Sequence, residues 1–291
     1  MVNEMTTRSP ALPQLAPRDA DSHKGDYGRV LLIGGSPGMA GSISLSASAS
    51  IRSGAGLVTV AVPRRCLETV AGYDRCYMTV ALPDDLKGFY ELAASRVAQL
   101  SESATVFGCG PGMRTGVGAE GIVKTLCSQE SDKPLVFDAD ALNCLSQCDD
   151  WKSMLAPRMI LTPHPGEWER LSGVAASDRK AQEAAAVETG KATGATIVLK
   201  GSKTFVTDGK KSVHNSTGNP GMASGGSGDV LTGVLCGLLA QGLAVFEAAH
   251  LGVFVHGRAG DLAAESVGQI SLTASDLLQH LPAAFMSLSD Q

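Results

Sequence analysis

The chain predicts an α/β protein, with a mostly parallel central sheet covered on both faces by helices and one small β-hairpin. Three observations carry that expectation. From Arg29 onward, short β-branched or aliphatic runs alternate with segments of helical spacing. A single Asp208-Gly209 pair between two strand-like runs marks a hairpin. The glycines, prolines and charged residues gather just after the expected strands, along the edge where open α/β sheets hold their ligands.

In chain order, Val30–Ile33 reads as a strand and Met39–Ser53 as a helix rich in Ala and Ser. Leu57–Val62 is the next strand, followed by a helix opened by Pro63, the weaker strand Tyr77–Leu82 and a helix over Leu86–Leu100. Thr105–Gly108, Leu135–Asp138, Met159–Thr162 and Thr196–Leu199 are further strands, and Ser177–Thr193 is the clearest of the intervening helices. Thr204–Thr207 and Lys211–Asn215 flank the expected two-residue turn. Only helices follow: Gly228–Gln241, Ala244–Glu265 and Thr273–Met286.

A chain of 291 residues, 44% hydrophobic and 18% charged, has room for a substantial core. No linker, composition shift or repeat divides it, so one domain is expected over residues 23–291, preceded by a loose arm over 1–22. A net charge of −5 argues against nucleic acid as a partner. Seven cysteines without a C-x-x-C pair suit reduced thiols in a cytoplasmic protein. The most apolar region, 230–256, is interrupted by Gln241, Glu247 and His250, which fits buried helices better than a membrane span.

The chemistry centres on Asn219-Pro-Gly-Met-Ala-Ser-Gly-Gly-Ser-Gly-Asp229, a glycine-rich stretch running into an apolar helix. Gly225, Gly226 and Gly228 at a helix start would turn unpaired backbone N–H groups toward an anion, aided by the helix dipole. Asp229 would repel that anion unless its carboxylate had a task. The task that fits is a general base, deprotonating a hydroxyl that attacks phosphorus.

Other motifs carry less. Gly34-Gly-Ser-Pro-Gly38 has the outline of a hydrolase nucleophile elbow, but Pro37 lacks the N–H that an oxyanion hole needs. Gly108-Cys-Gly-Pro-Gly112 is half a dinucleotide fingerprint, and a Walker loop is absent. His164, between two prolines, is balanced between a binding and a structural role. Glu167 opens a helix and is a weaker candidate to hold Mg²⁺ through water. One of Asp138 and Asp140 is expected to cap the next helix. Lys200 and Lys203 would meet phosphates or else lie solvated at the hairpin start. His250 and His256, six apart, are read as structural.

Together, 219–233, Thr162-Pro-His-Pro-Gly-Glu167 and His23-Lys-Gly-Asp-Tyr-Gly-Arg-Val-Leu32 closely resemble the ADP-dependent NAD(P)H-hydrate dehydratases. The likeness extends to Gly38-Met-Ala-Gly41, Gly110-Pro-Gly112, Asp138-Ala-Asp-Ala-Leu142 and Leu199-Lys-Gly201. It implies a ribokinase-like three-layer α/β/α fold and repair of the S-form of hydrated NADH and NADPH. A phosphoryl group from ADP, or ATP, would go onto the ring hydroxyl and phosphate would then be eliminated, with Mg²⁺ as cofactor. By matching position, Ala40, Gly112, His164 and Asp229 would contact the hydrate. Lys200, Gly201, Ser202, Lys203, Thr204 and Gly228 would contact the nucleotide. Ser227 stands where Thr is common, and keeps the hydroxyl.

Many bacterial relatives carry a hydrate epimerase domain ahead of this one, so here a separate epimerase chain is expected, and the family habit implies a homo-oligomer. A ribokinase-like vitamin or sugar kinase is the competing enzyme reading, although related vitamin kinases tend to have Asn where His164 stands. A nucleotide-binding sensor is the non-enzymatic one, opposed by the retention of Asp229.

Overall fold

The computed structural model describes residues 11–290. A single nine-stranded sheet runs through the molecule, in the order β3-β2-β1-β4-β5-β6-β7-β8-β9. The strands are β1 (Arg29–Ile33), β2 (Leu57–Pro63), β3 (Met78–Leu82), β4 (Val106–Cys109), β5 (Leu135–Phe137), β6 (Met159–Leu161), β7 (Thr196–Leu199), β8 (Phe205–Thr207) and β9 (Ser212–His214). Neighbours from β3 through β7 pair in parallel, and the β8–β9 hairpin adds antiparallel to β7.

Alternation along the strands makes the layers. Val30 and Leu32 join one core cluster while Leu31 and Ile33 join the other, and Val136 is likewise opposed by Leu135 and Phe137. The first cluster lies under α1 (Ala40–Arg52), α2 (Leu67–Ala71), α8 (Ser227–Ala240), α9 (Val245–Ser271) and α10 (Ala274–Met286). The second lies under α3 (Ala94–Ser101), α4 (Val117–Cys127), α5 (Asp140–Leu145), α6 (Pro165–Ser172) and α7 (Arg179–Thr193). The result is the three-layer arrangement expected. No helix among the described residues is long and apolar enough to cross a membrane.

The structure departs from the expected element bounds in three places, in two of them through local hydrogen bonding. The expected helix over 86–100 is reduced to α3, because the Asp85 carboxylate accepts the amides of Lys87 and Phe89 and curls 85–89 into a turn. At the hairpin, Asp208 accepts from Lys210 and Lys211 at 2.8 and 2.6 Å, so the connection spans 208–211 and not two residues. The helix expected to end at Glu265 continues to Ser271 across a kink at Gly268, where φ is 75°. Of the expected N-terminal arm, 1–10 lies outside the described residues. Beyond it, Leu12 and Leu15 pack on the first core, and Arg18 stacks over Tyr27 at 3.8 Å.

The Ala/Ser helix α1 and the glycine-rich α8 lie side by side, and small residues let their backbones approach. A Cβ on Gly233 would stand 2.1 Å from the Ser46 carbonyl oxygen. Ser46 Oγ donates to the Asp229 carbonyl at 2.7 Å, and Ser50 Oγ to the Gly233 carbonyl at 3.0 Å. Gly233→Val must therefore push the helices apart. It is expected to lower stability by about 2–4 kcal/mol, read from urea unfolding midpoints.

Candidate active site

Parallel pairing brings the loops after β1, β4, β5, β6 and β7 to one edge, and backbone bonds stitch them together. Gly35 donates to Pro111 at 2.8 Å, Asp138 to Cys109 at 3.1 Å, Thr162 to Phe137 at 3.0 Å and Lys200 to Pro163 at 2.9 Å. The N-terminus of α8 arrives at this edge.

Asp138 is the centre of the polar network, only 1% exposed. Its Oδ1 accepts from Lys200 Nζ at 2.7 Å and Thr162 Oγ1 at 2.8 Å, while Oδ2 accepts from Thr232 Oγ1 of α8 at 2.8 Å. Asp138 therefore caps nothing. Asp140 does not cap either, for the N-cap is Ala139 and the Asp140 carboxylate accepts from Arg114 N and Asn143 Nδ2. Lys200 is withdrawn from solvent; burial opposes its charge, but Asp138 and Glu167 outweigh that and hold its pKa above the ordinary value. Its Nζ lies 3.3 Å from where a Cβ on Gly228 would stand, so only glycine leaves the ammonium open at that point.

Gly226 caps α8 with φ at 91°, a left-handed conformation that glycine adopts freely. Among the described residues, the amides of Gly225, Gly226, Gly228 and Asp229 meet no backbone acceptor outside regular elements, whereas Val230 N bonds Gly226 O. Those donors, together with Lys200, make a cationic pocket for phosphate oxygens. Burial raises Asp229 to a pKa of about 6, reinforced by Asp138, against the pull of a Ser42 hydrogen bond and of Lys200. A carboxylate tuned to that value can accept a proton near neutrality.

Two groups of the expected contact residues flank this helix start. On one side is a cavity of about 660 Å³, lined by His164, Lys200, Gly201, Ser202, Thr204 and Gly228, with Asn215, Asn219, Ser227, Leu231 and His256 among its other wall residues. Lys203 is exposed outside it, its carbonyl taken by Arg179. On the other side are Ala40, at the first turn of α1, and Gly112, with φ of 64°, where a Cβ would stand 2.6 Å from the Met39 carbonyl oxygen. His164, grouped with the hydrate contacts by resemblance, lines the cavity that holds the nucleotide group.

His164 is also the N-cap of α6. Its Nδ1 accepts from Gly166 and Glu167 amides at 3.0 and 3.3 Å, and Glu167 Oε2 accepts from His164 N at 2.8 Å. Burial, then Lys200, lowers the His164 pKa, so it presents a neutral ring. Burial raises Glu167, which stands 3.8 Å from Lys200. No set of three His, Cys, Asp or Glu side chains among the described residues could cage a metal by itself. The residues present would fit Mg²⁺ carried mainly by nucleotide phosphates and not by a protein cage.

His256, read from sequence as structural, bonds the Ser227 carbonyl at 2.9 Å and lines the cavity; burial pushes its pKa down to about 4. Thr162 and Thr232 were missed too. A lone acid ending a buried strand was the available signal for Asp138, but its partners come from distant parts of the chain.

An open parallel sheet with its site at the carboxyl edge, completed by a late helix with free amides and an acid, defines the ribokinase-like class. A ribokinase-like protein of Enterococcus faecalis superposes with a TM-score of 0.80, at 30% identity over 94% of this chain and 92% of that one. The profile of the NAD(P)H-hydrate dehydratase family matches residues 30–283, and the chain belongs to that family. The ADP-dependent (S)-NAD(P)H-hydrate dehydratase of Neisseria meningitidis is 40% identical over 86% of this chain and 82% of its own length. The bifunctional NAD(P)H-hydrate repair enzyme of Moorella thermoacetica is 42% identical over 96% of this chain. The chain spans about half the length of the bifunctional relatives it matches, 53% in that case. The ADP/ATP-dependent NAD(P)H-hydrate dehydratase of Bacillus subtilis, co-crystallised with ATP/Mg²⁺, superposes with a TM-score of 0.79 at 28% identity, covering 94% of each chain.

The raised acid also bears on stability. Asp229 binds its proton more tightly folded than unfolded, so its ionisation destabilises the fold. The cost is absent below the ordinary value of 3.8, grows as pH rises and is complete above about 6. Asp229→Asn is expected to gain about 1–3 kcal/mol near pH 8 and almost nothing near pH 4, measured by urea unfolding at both.

Proposed function

We propose that the protein dehydrates the S-form of NADH and NADPH hydrates back to the reduced nucleotides, using ADP as phosphoryl donor. The observation that carries this reading is the Asp229 carboxylate, raised by burial to a pKa of about 6, directly beside backbone amides that meet no backbone acceptor among the described residues.

In this reading the nucleotide occupies the cavity beside Lys200 to Thr204 and Gly228, with its terminal phosphate at the start of α8. The hydrate lies against Ala40 and Gly112. Asp229 takes the proton of the ring hydroxyl, and the freed oxygen attacks the terminal phosphorus as the bond to AMP breaks. The amides of Gly225, Gly226 and Gly228 and the Lys200 ammonium hold the charge on the transferring oxygens. The hydroxyl oxygen then departs within phosphate, the ring loses a proton and its double bond is restored. Mg²⁺ supplies charge neutralisation on the nucleotide phosphates when bound. His164, neutral, is placed to orient and not to add charge.

Action on the S-form alone leaves the other epimer to a hydrate epimerase activity. A cytoplasmic setting suits the free thiols and the nucleotide substrates, and a homo-oligomer is the assembly expected. ATP would serve as an alternative donor.

Incubation with NADH hydrate, ADP and Mg²⁺ is expected to restore the absorbance of reduced nicotinamide with stoichiometric AMP and phosphate. No recovery with ADP or ATP removes the dehydratase reading, and a stable phosphorylated product would mark a kinase instead. Asp229→Asn is expected to reduce kcat by about 10²–10⁴-fold while nucleotide binding persists. In the wild-type protein, kcat/KM should fall about tenfold per unit below about pH 6, because the base is then protonated. A flat profile through that range would exclude Asp229 as the base.

A further inference from the structure

The loop after β4 holds a cation without a partner of opposite charge. Arg114 lies two residues beyond Gly112, on the Ala40 side of the site, and its side chain is exposed. Its φ of 59° is left-handed, a strained conformation for a residue with a Cβ. The Asp140 carboxylate fixes that conformation by accepting the Arg114 amide at 2.7 Å. The guanidinium is thereby carried over the loop after β1. There Nε donates to Ser36 Oγ at 3.3 Å, Nη2 to the Pro37 carbonyl at 3.5 Å, and the group stands 5.4 Å from the Phe89 ring centre.

These are long contacts, and they leave most of the guanidinium's donors free. Arg65, which approaches the same Pro37 loop across Gly88, is different. Its Nε faces Asp84 at 3.8 Å and donates to the Asp85 carbonyl at 3.2 Å. Arg114 makes no comparable pairing among the described residues. In a chain of net charge −5, a strained, exposed and uncompensated guanidinium beside the hydrate subsite is suited to bind phosphate, whose geometry a planar fork matches.

We propose that Arg114 is a substrate-binding residue that takes a phosphate group of the hydrated dinucleotide and so holds the nicotinamide end against Gly112 and Asp229. This rests on the dehydratase reading. Two phosphates offer the same chemistry: the pyrophosphate common to both hydrates and the 2′-phosphate of NADPH hydrate alone.

Steady-state kinetics of Arg114→Gln and Arg114→Lys, with each hydrate and with ADP varied, test it. Arg114→Gln should raise the hydrate KM about tenfold or more, leaving the ADP KM and the melting temperature unchanged, and Arg114→Lys should fall between it and wild type. An equal rise for both hydrates assigns the pyrophosphate, and a rise for NADPH hydrate alone assigns the 2′-phosphate. An unchanged hydrate KM overturns the proposal. So does a parallel loss of ADP affinity and melting temperature, which would make Arg114 a brace for the loop. If the wild-type protein restores neither hydrate, the dehydratase reading falls and this proposal with it.

Discussion

A carboxylate as enclosed as Asp138 is tolerable only if each of its oxygens is bonded and its charge met. The chain meets that demand from three elements: Thr162 after β6, Lys200 after β7 and Thr232 on α8. Satisfying one acid thus fixes where α8 begins relative to the strand ends. It also sets the Lys200 ammonium beside Gly228, where a phosphate would need it. The same negative charge helps raise Asp229 into a range useful for proton transfer. In the proposed mechanism this one buried pair would serve both the fold and the binding of phosphate.

The second constraint is the close approach of α1 and α8. Serines of α1 act on α8 as hydrogen-bond donors, Ser46 to the Asp229 carbonyl and Ser50 to that of Gly233. The cost of this arrangement is that glycines must line the contact, which weakens a helix by about 1 kcal/mol each in isolation. Burial of α8 against the sheet, with Val230, Leu231, Val234 and Leu235 all enclosed, offsets that loss. The helix can then carry a strained, glycine-built N-terminus without fraying.

His164 shows how a site residue can serve two ends. Flanking prolines direct its backbone, its Nδ1 closes the cap of α6, and the rest of its half-exposed ring faces the cavity. The capping bond needs an unprotonated Nδ1, so the structural role also keeps the ring neutral where phosphate would otherwise attract a proton.

Much of this was legible in the residues. Strand and helix identities follow from local periodicity, and the parallel sheet from their alternation. The glycine loop at the start of an apolar helix, with Asp229 in its first turn, was legible because those signals lie within a few consecutive residues. The turn at 85–89 and the longer hairpin loop were misread because an aspartate carboxylate captured nearby amides that periodicity does not register. What only the tertiary structure decided is who meets whom. Asp138 finds Lys200 62 residues away and Thr232 94 residues away, and Arg114 reaches back 78 residues to Ser36. Such pairings depend on strand order and helix packing, and burial, which sets the proton affinity of Asp229, exists only once the layers have closed.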